Sequence, residues 1–97
     1  MTFDEFKNTL SADSPPAEIN ELLTALWFAA KGDWESAHSI AQDIPSRDGA
    51  WIHAYLHHVE GDIGNANYWY GIAGRNLPPG TLDEEWEDIA KELISQS

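Results

Sequence analysis

The chain has 97 residues, 17 acidic against 5 basic side chains for a formal charge of −12, no cysteine and 5 tryptophans. This length allows one domain over residues 1–97, with a single core and no second catalytic lobe. With 42% hydrophobic residues the chain is too apolar for a disordered acidic tail, and the absence of cysteine excludes disulfides, thiolate nucleophiles and cysteine-based metal sites. Ligands for a metal must come from His, Asp and Glu. The net charge repels phosphate backbones and argues against nucleic acid as a partner. Residues 1–10 lack a basic region followed by an apolar run, and no stretch approaches the ~18 apolar residues of a membrane span, so a cytoplasmic protein that does not insert in membranes is expected.

In chain order, Thr2 and Glu5 form a capping box for a short helix with Phe3, Phe6 and Leu10 on one face. Ser14-Pro15-Pro16 predicts the start of a longer helix bearing Ile19, Leu22, Leu23, Leu26, Ala29 and Ala30, ended by Gly32. Asp33 caps the next helix, which carries Trp34, Ala37, Ile40, Ala41 and Ile44 and stops before Pro45. The pattern then starts again. From Gly32-Asp33 to Gly61-Asp62 is 29 residues, and the same shift superimposes Ala25 on Ala54, Ala37 on Ala66, Leu22 on Trp51 and Leu26 on Tyr55. Two helical hairpins follow one another, one over about 15–45 and one over about 46–77. A capping helix over about 81–95 opens with a second capping box, Thr81 and Glu84. The fold predicted is all-α, about six helices in stacked antiparallel hairpins with capping helices at both ends.

The pattern Ala25-x-x-Phe28-x-x-x-Gly32-x-Trp34-x-x-Ala37 and its echo from Ala54 through Gly61 and Ala66 to Tyr70 and Ala73 resemble the tetratricopeptide repeat. Ala66-x-x-Trp69-Tyr70-x-x-Ala73 is also similar to the related Sel-like repeats. The chain further resembles small bacterial proteins with the same Gly-Asp hairpin, a likeness that implies no activity. The repeat resemblance implies a protein-protein interaction or scaffolding module whose first helices line an inner groove. Asp48, Trp51, Tyr55 and His58 share a face of such a helix and are the expected partner-binding residues, with a protein partner, no cofactor and a monomeric or homodimeric state. The competing expectation is that Trp86 and Leu93 of the last helix cover these rings.

Histidine supplies the second candidate. His53 and His57 are four residues apart, the spacing at which one helix face offers two imidazoles to a metal, with a third ligand to be drawn from His38, His58 or a carboxylate. Alternatively His57, which takes the register position of Phe28, is a packed and hydrogen-bonded ring. A weaker third reading is that the acidic surface mimics nucleic acid toward a basic protein. No enzyme is expected, because Ser36, Ser39 and Ser46 near His38 assemble no nucleophile, base and orienting acid.

Among the remaining features, Tyr68, Trp69 and Tyr70 cannot all face inward, which leaves Tyr68 as the exposed ring. Gly71 to Gly74 reads as a close helix contact. Arg75 reads as paired with an acid, and the run from Asp83 to Asp88 reads as a solvated helix start.

Overall fold

The computed structural model describes residues 1–96, and among them the protein is all-α: α1 (Phe3–Asn8), α2 (Glu21–Ala30), α3 (Trp34–Gln42), α4 (Arg47–Val59), α5 (Ile63–Ala73) and α6 (Leu82–Gln96), with one 3-10 turn at Thr9–Ser11. No strand occurs among the described residues, and no helix is long and apolar enough to cross a membrane. α2 packs on α3 and α4 on α5, α3 joins the two hairpins by resting on α4, and α6 lies against α2 and α4.

Local chemistry sets most helix ends. Both capping boxes form: the Thr2 amide donates to Glu5 Oε1 at 2.8 Å and the Thr81 amide to Glu84 Oε1 at 3.0 Å, each with the reciprocal bond to the threonine hydroxyl. These bonds to the charged carboxylate hold Glu5 and Glu84 below the usual carboxylate range. The two hairpin turns repeat one conformation. Gly32 and Gly61 sit at φ +82° and +81°, where a side chain is strained, and Asp33 and Asp62 after them accept the amides of Ser36 and Asn65.

The second helix begins later than Pro15-Pro16 suggests. Asn20 is its cap, accepting the Leu23 amide at 2.9 Å, so Ile19 lies before the helix. An Asx side chain that satisfies a free first-turn amide defines the start more strongly than an upstream proline pair, which merely tolerates one.

The core runs through Phe6, Leu26, Trp27, Ile52, Leu56, Tyr70, Ile89 and Leu93. Indole N–H groups tie helices across it. Trp86 of α6 donates to the Leu26 carbonyl at 2.9 Å while its ring stacks on Phe6, and Trp34 of α3 donates to the Leu56 carbonyl at 2.7 Å. Each bond satisfies an indole donor, buried for Trp86 and part-buried for Trp34, and fixes one helix against another.

The α3–α4 connection is closely packed. Gly49 in the first turn of α4 lies directly under Ile44, so that a Cβ there would collide with the Ile44 carbonyl oxygen and come within 2.9 Å of the Ile44 Cβ. Because one of these atoms is backbone, relief requires the connecting chain at Ile44 to move away from α4. Gly49→Ala is expected to lower stability by about 1–3 kcal/mol, read from the urea midpoint.

Candidate metal centre

Where α3 rests on α4, three histidines converge. His53 and His57 occupy successive turns of one α4 face, with ring centroids 4.9 Å apart. His38 comes from α3, four residues after Trp34, and enters the same space: its Nε2 lies 3.0 Å from His53 Nε2. Ring nitrogens of all three lie within 4.8 Å of one another.

The rings are held from both sides. Trp34, itself fixed by its bond to Leu56, stacks on His38 with centroids 4.6 Å apart, and Trp69 of α5 stacks on His53 at 4.0 Å. His57 is oriented by an acid, its Nδ1 lying 2.6 Å from Glu60 Oε1. Engagement of Nδ1 turns Nε2 away from Glu60. A histidine whose second nitrogen is held by a carboxylate is the usual arrangement behind a metal ligand, since it fixes the ring and raises its basicity.

Burial controls the charge. His53 is pushed down to about 4, chiefly by loss of hydration and further by His38 and His57, and His38 is lowered by the same two kinds of cause. Both are therefore neutral at pH 7, each with one nitrogen lone pair to offer. In the metal-free chain the 3.0 Å contact requires one ring to donate its N–H to the other.

Compared with protein-family profiles, curated proteins and solved structures, the chain matches none.

Of the ligands considered for His53 and His57, His38 joins the cluster and His58 does not. His58 turns to the opposite side of α4, its Nδ1 2.8 Å from Glu85 Oε1, while the Tyr70 hydroxyl donates to Glu85 Oε2. Glu85 is 4% exposed and so departs from the solvated helix start expected of its segment. Burial, together with the carboxylate it bonds, pushes the Tyr70 hydroxyl above its ordinary range and keeps it a donor.

The face of Asp48, Trp51, Tyr55 and His58 is largely covered and is not one continuous groove: the edge of Trp51 lines a cleft with Arg75, Glu85, Asp88 and Glu92, and the edge of Tyr55 a separate one with Phe3, Lys7, Asp83 and Trp86. Trp51 and Tyr55 are 7% and 6% exposed, Asp48 and His58 are half-buried, and α6 occupies this side of α2 and α4. The reason is size: a two-hairpin chain must bury its largest rings to build a core, and its last helix is the element at hand. Arg75 pairs with no acid among the described residues, its guanidinium instead lying 3.4 Å over the Trp51 ring centroid.

Of the three histidines, His38 carries the weakest local signal. Its one signal is the four-residue step from Trp34, which puts it where an apolar side chain would have continued that face.

Proposed function

We propose that this protein binds a divalent transition metal of the zinc class through His38, His53 and His57, with Glu60 orienting His57. The carrying observation is the 3.0 Å approach of His38 Nε2 to His53 Nε2 between two rings that burial keeps neutral. Two nitrogens bound tetrahedrally at about 2.0–2.1 Å from zinc stand about 3.3 Å apart, close to the spacing already present. Imidazole donors without thiolate suit zinc, copper and nickel, and three protein ligands leave a fourth position for water or a small ligand. In this reading the hairpins are a rigid frame: Trp34 and Trp69 pin two of the rings, so little reorganisation is needed on binding.

Calorimetric titration of the purified chain with zinc is expected to give one site per chain at micromolar or tighter affinity. His38→Phe and His53→Phe are each expected to weaken it by about 100-fold or more while leaving helical circular dichroism in place. Tryptophan fluorescence should change with the same midpoint, because Trp34 and Trp69 lie on the ligand rings. Absence of heat at tens of micromolar zinc, or unchanged affinity in both variants, would overturn the proposal and assign the histidines to packing.

A further inference from the structure

α5 differs from every other helix of the chain. Its eleven residues, Ile63–Ala73, contain no charged side chain, in a protein of formal charge −12 whose other five helices each carry at least one. Ala66, Tyr70 and Ala73 turn inward, and its one substantial helix contact among the described residues is with α4. The opposite face is open. Tyr68 is 63% and Ile72 45% exposed, Ile63 is exposed beside them, and Gly71 is not the close contact its neighbourhood suggested, since a Cβ there would meet nothing within 4 Å. Gly64, Tyr68, Gly71 and Ile72 follow at steps of four, three and one, which makes a single stripe with a large ring between two positions lacking side chains. In a stack of hairpins this is the end against which another helix would rest.

We propose that this stripe of α5 is the contact by which two copies of the chain pair, α5 against α5 about a twofold axis. An uncharged face is the one on which two acidic copies can meet without like-charge repulsion. In a twofold contact a residue near the axis meets its own copy, so any charge there faces an identical charge. Two chains of −12 repel over most of their surface, and α5 is the helix on which close approach brings no like charges together. Gly64 and Gly71 let the two backbones come near, and Tyr68 supplies apolar area with a polar tip, the residue type favoured at interface centres. A basic partner, by contrast, would be drawn to the acidic faces and would find nothing on α5 to pair with. The pairing does not depend on metal binding.

Sedimentation equilibrium of the metal-free chain from 10 to 300 µM tests this. The mass is expected to rise from 10.8 kDa toward twice that value, and to do so at lower concentration in 0.5 M than in 0.05 M sodium chloride, because salt screens the repulsion between the two acidic bodies. Tyr68→Glu sets two carboxylates opposite each other and is expected to weaken association at least tenfold. Its exposed position leaves the helical circular dichroism unchanged. Glu35→Gln on α3, away from α5, should not weaken association. A monomer throughout at 0.5 M salt overturns the proposal, and so does a dimer that Tyr68→Glu leaves intact.

Discussion

Glu85→Ala is expected to destabilise the protein by about 3–5 kcal/mol, the cost of removing one partner from a buried charged network. The Glu85 carboxylate receives both the Tyr70 hydroxyl of α5 and a His58 ring nitrogen of α4. It thus ties α6 to both helices of the second hairpin from a position 4% exposed. Alanine leaves the buried Tyr70 hydroxyl with only its longer 3.4 Å contact to His58 Nδ1 and opens a void beneath it, two penalties that add to the lost His58–Glu85 contact. For a domain of this length the melting temperature should fall by at least about 12 °C. Glu85→Gln retains an oxygen for Tyr70 and should cost about 1–2 kcal/mol. Tyr70→Phe combined with Glu85→Ala should cost clearly less than the two single changes added together, since each removes the same bond. A loss below about 1 kcal/mol for Glu85→Ala, by urea unfolding, would show that α6 is held by Trp86, Ile89 and Leu93 alone.

The same residue shows where sequence reading stops. Thr81 and Glu84 announce a helix start because the capping box is local, and both bonds form as the spacing predicts. Glu85, one position on, looks like another first-turn acid. Its burial follows from how α6 lies on α2 and α4, and nothing within a few residues encodes that angle. The helices and hairpin turns were legible for the first reason, through Gly32-Asp33, Gly61-Asp62 and the inward Ala, Leu and Tyr positions. The partner of Arg75 depends on the second. A guanidinium near a helix end has acids throughout this chain to choose from, and Glu85, Asp88 and Glu92 line the same cleft, yet among the described residues Arg75 forms no ion pair and lies over the Trp51 ring.

The candidate metal centre divides along the same line. The i, i+4 relation fixes His53 and His57 on one face whatever the tertiary structure. The third ligand depends on how α3 crosses α4, beyond a connection in which Gly49 leaves room for Ile44. His38 and His58 were equally eligible from spacing. What separates them is the direction each faces: His38 meets His53 across the α3–α4 contact, and His58 points toward α6. The expected partner face is largely covered for a related reason. Trp51 and Tyr55 have the amphipathic rings of an interaction surface, but in a chain with one small core the same rings are needed inside, and α6 is long enough to cover them. The charge-free stripe of α5 now stands as the open apolar surface that α4 lacks.

Acidification separates the histidine cluster from the carboxylates. An unfolded His53 titrates near 6.5 and the folded one at about 4, so between these values the unfolded chain binds a proton that the folded chain refuses. The stability contributed by neutral His53 is complete above about pH 6.5 and declines as the pH falls toward 4, at about 1.4 kcal/mol per unit, for a total on the order of 3 kcal/mol. His38 is shifted in the same direction and steepens the same window. The capping acids Glu5, Asp33 and Glu84 have lowered values and act lower, their contributions being lost as the pH falls below about 4. Urea midpoints of the metal-free protein should therefore fall steadily from pH 7 to 4.5, and His53→Gln, which cannot titrate, should flatten most of that slope. Saturating zinc should raise the curve at pH 7 and make it steeper, since a metal that binds only the folded chain adds stability that protons on its ligands remove. A midpoint that is flat between pH 6.5 and 4.5 would mean that His53 takes up its proton inside the fold, which the contact with His38 at 3.0 Å and the stacked Trp69 ring leave little room to solvate.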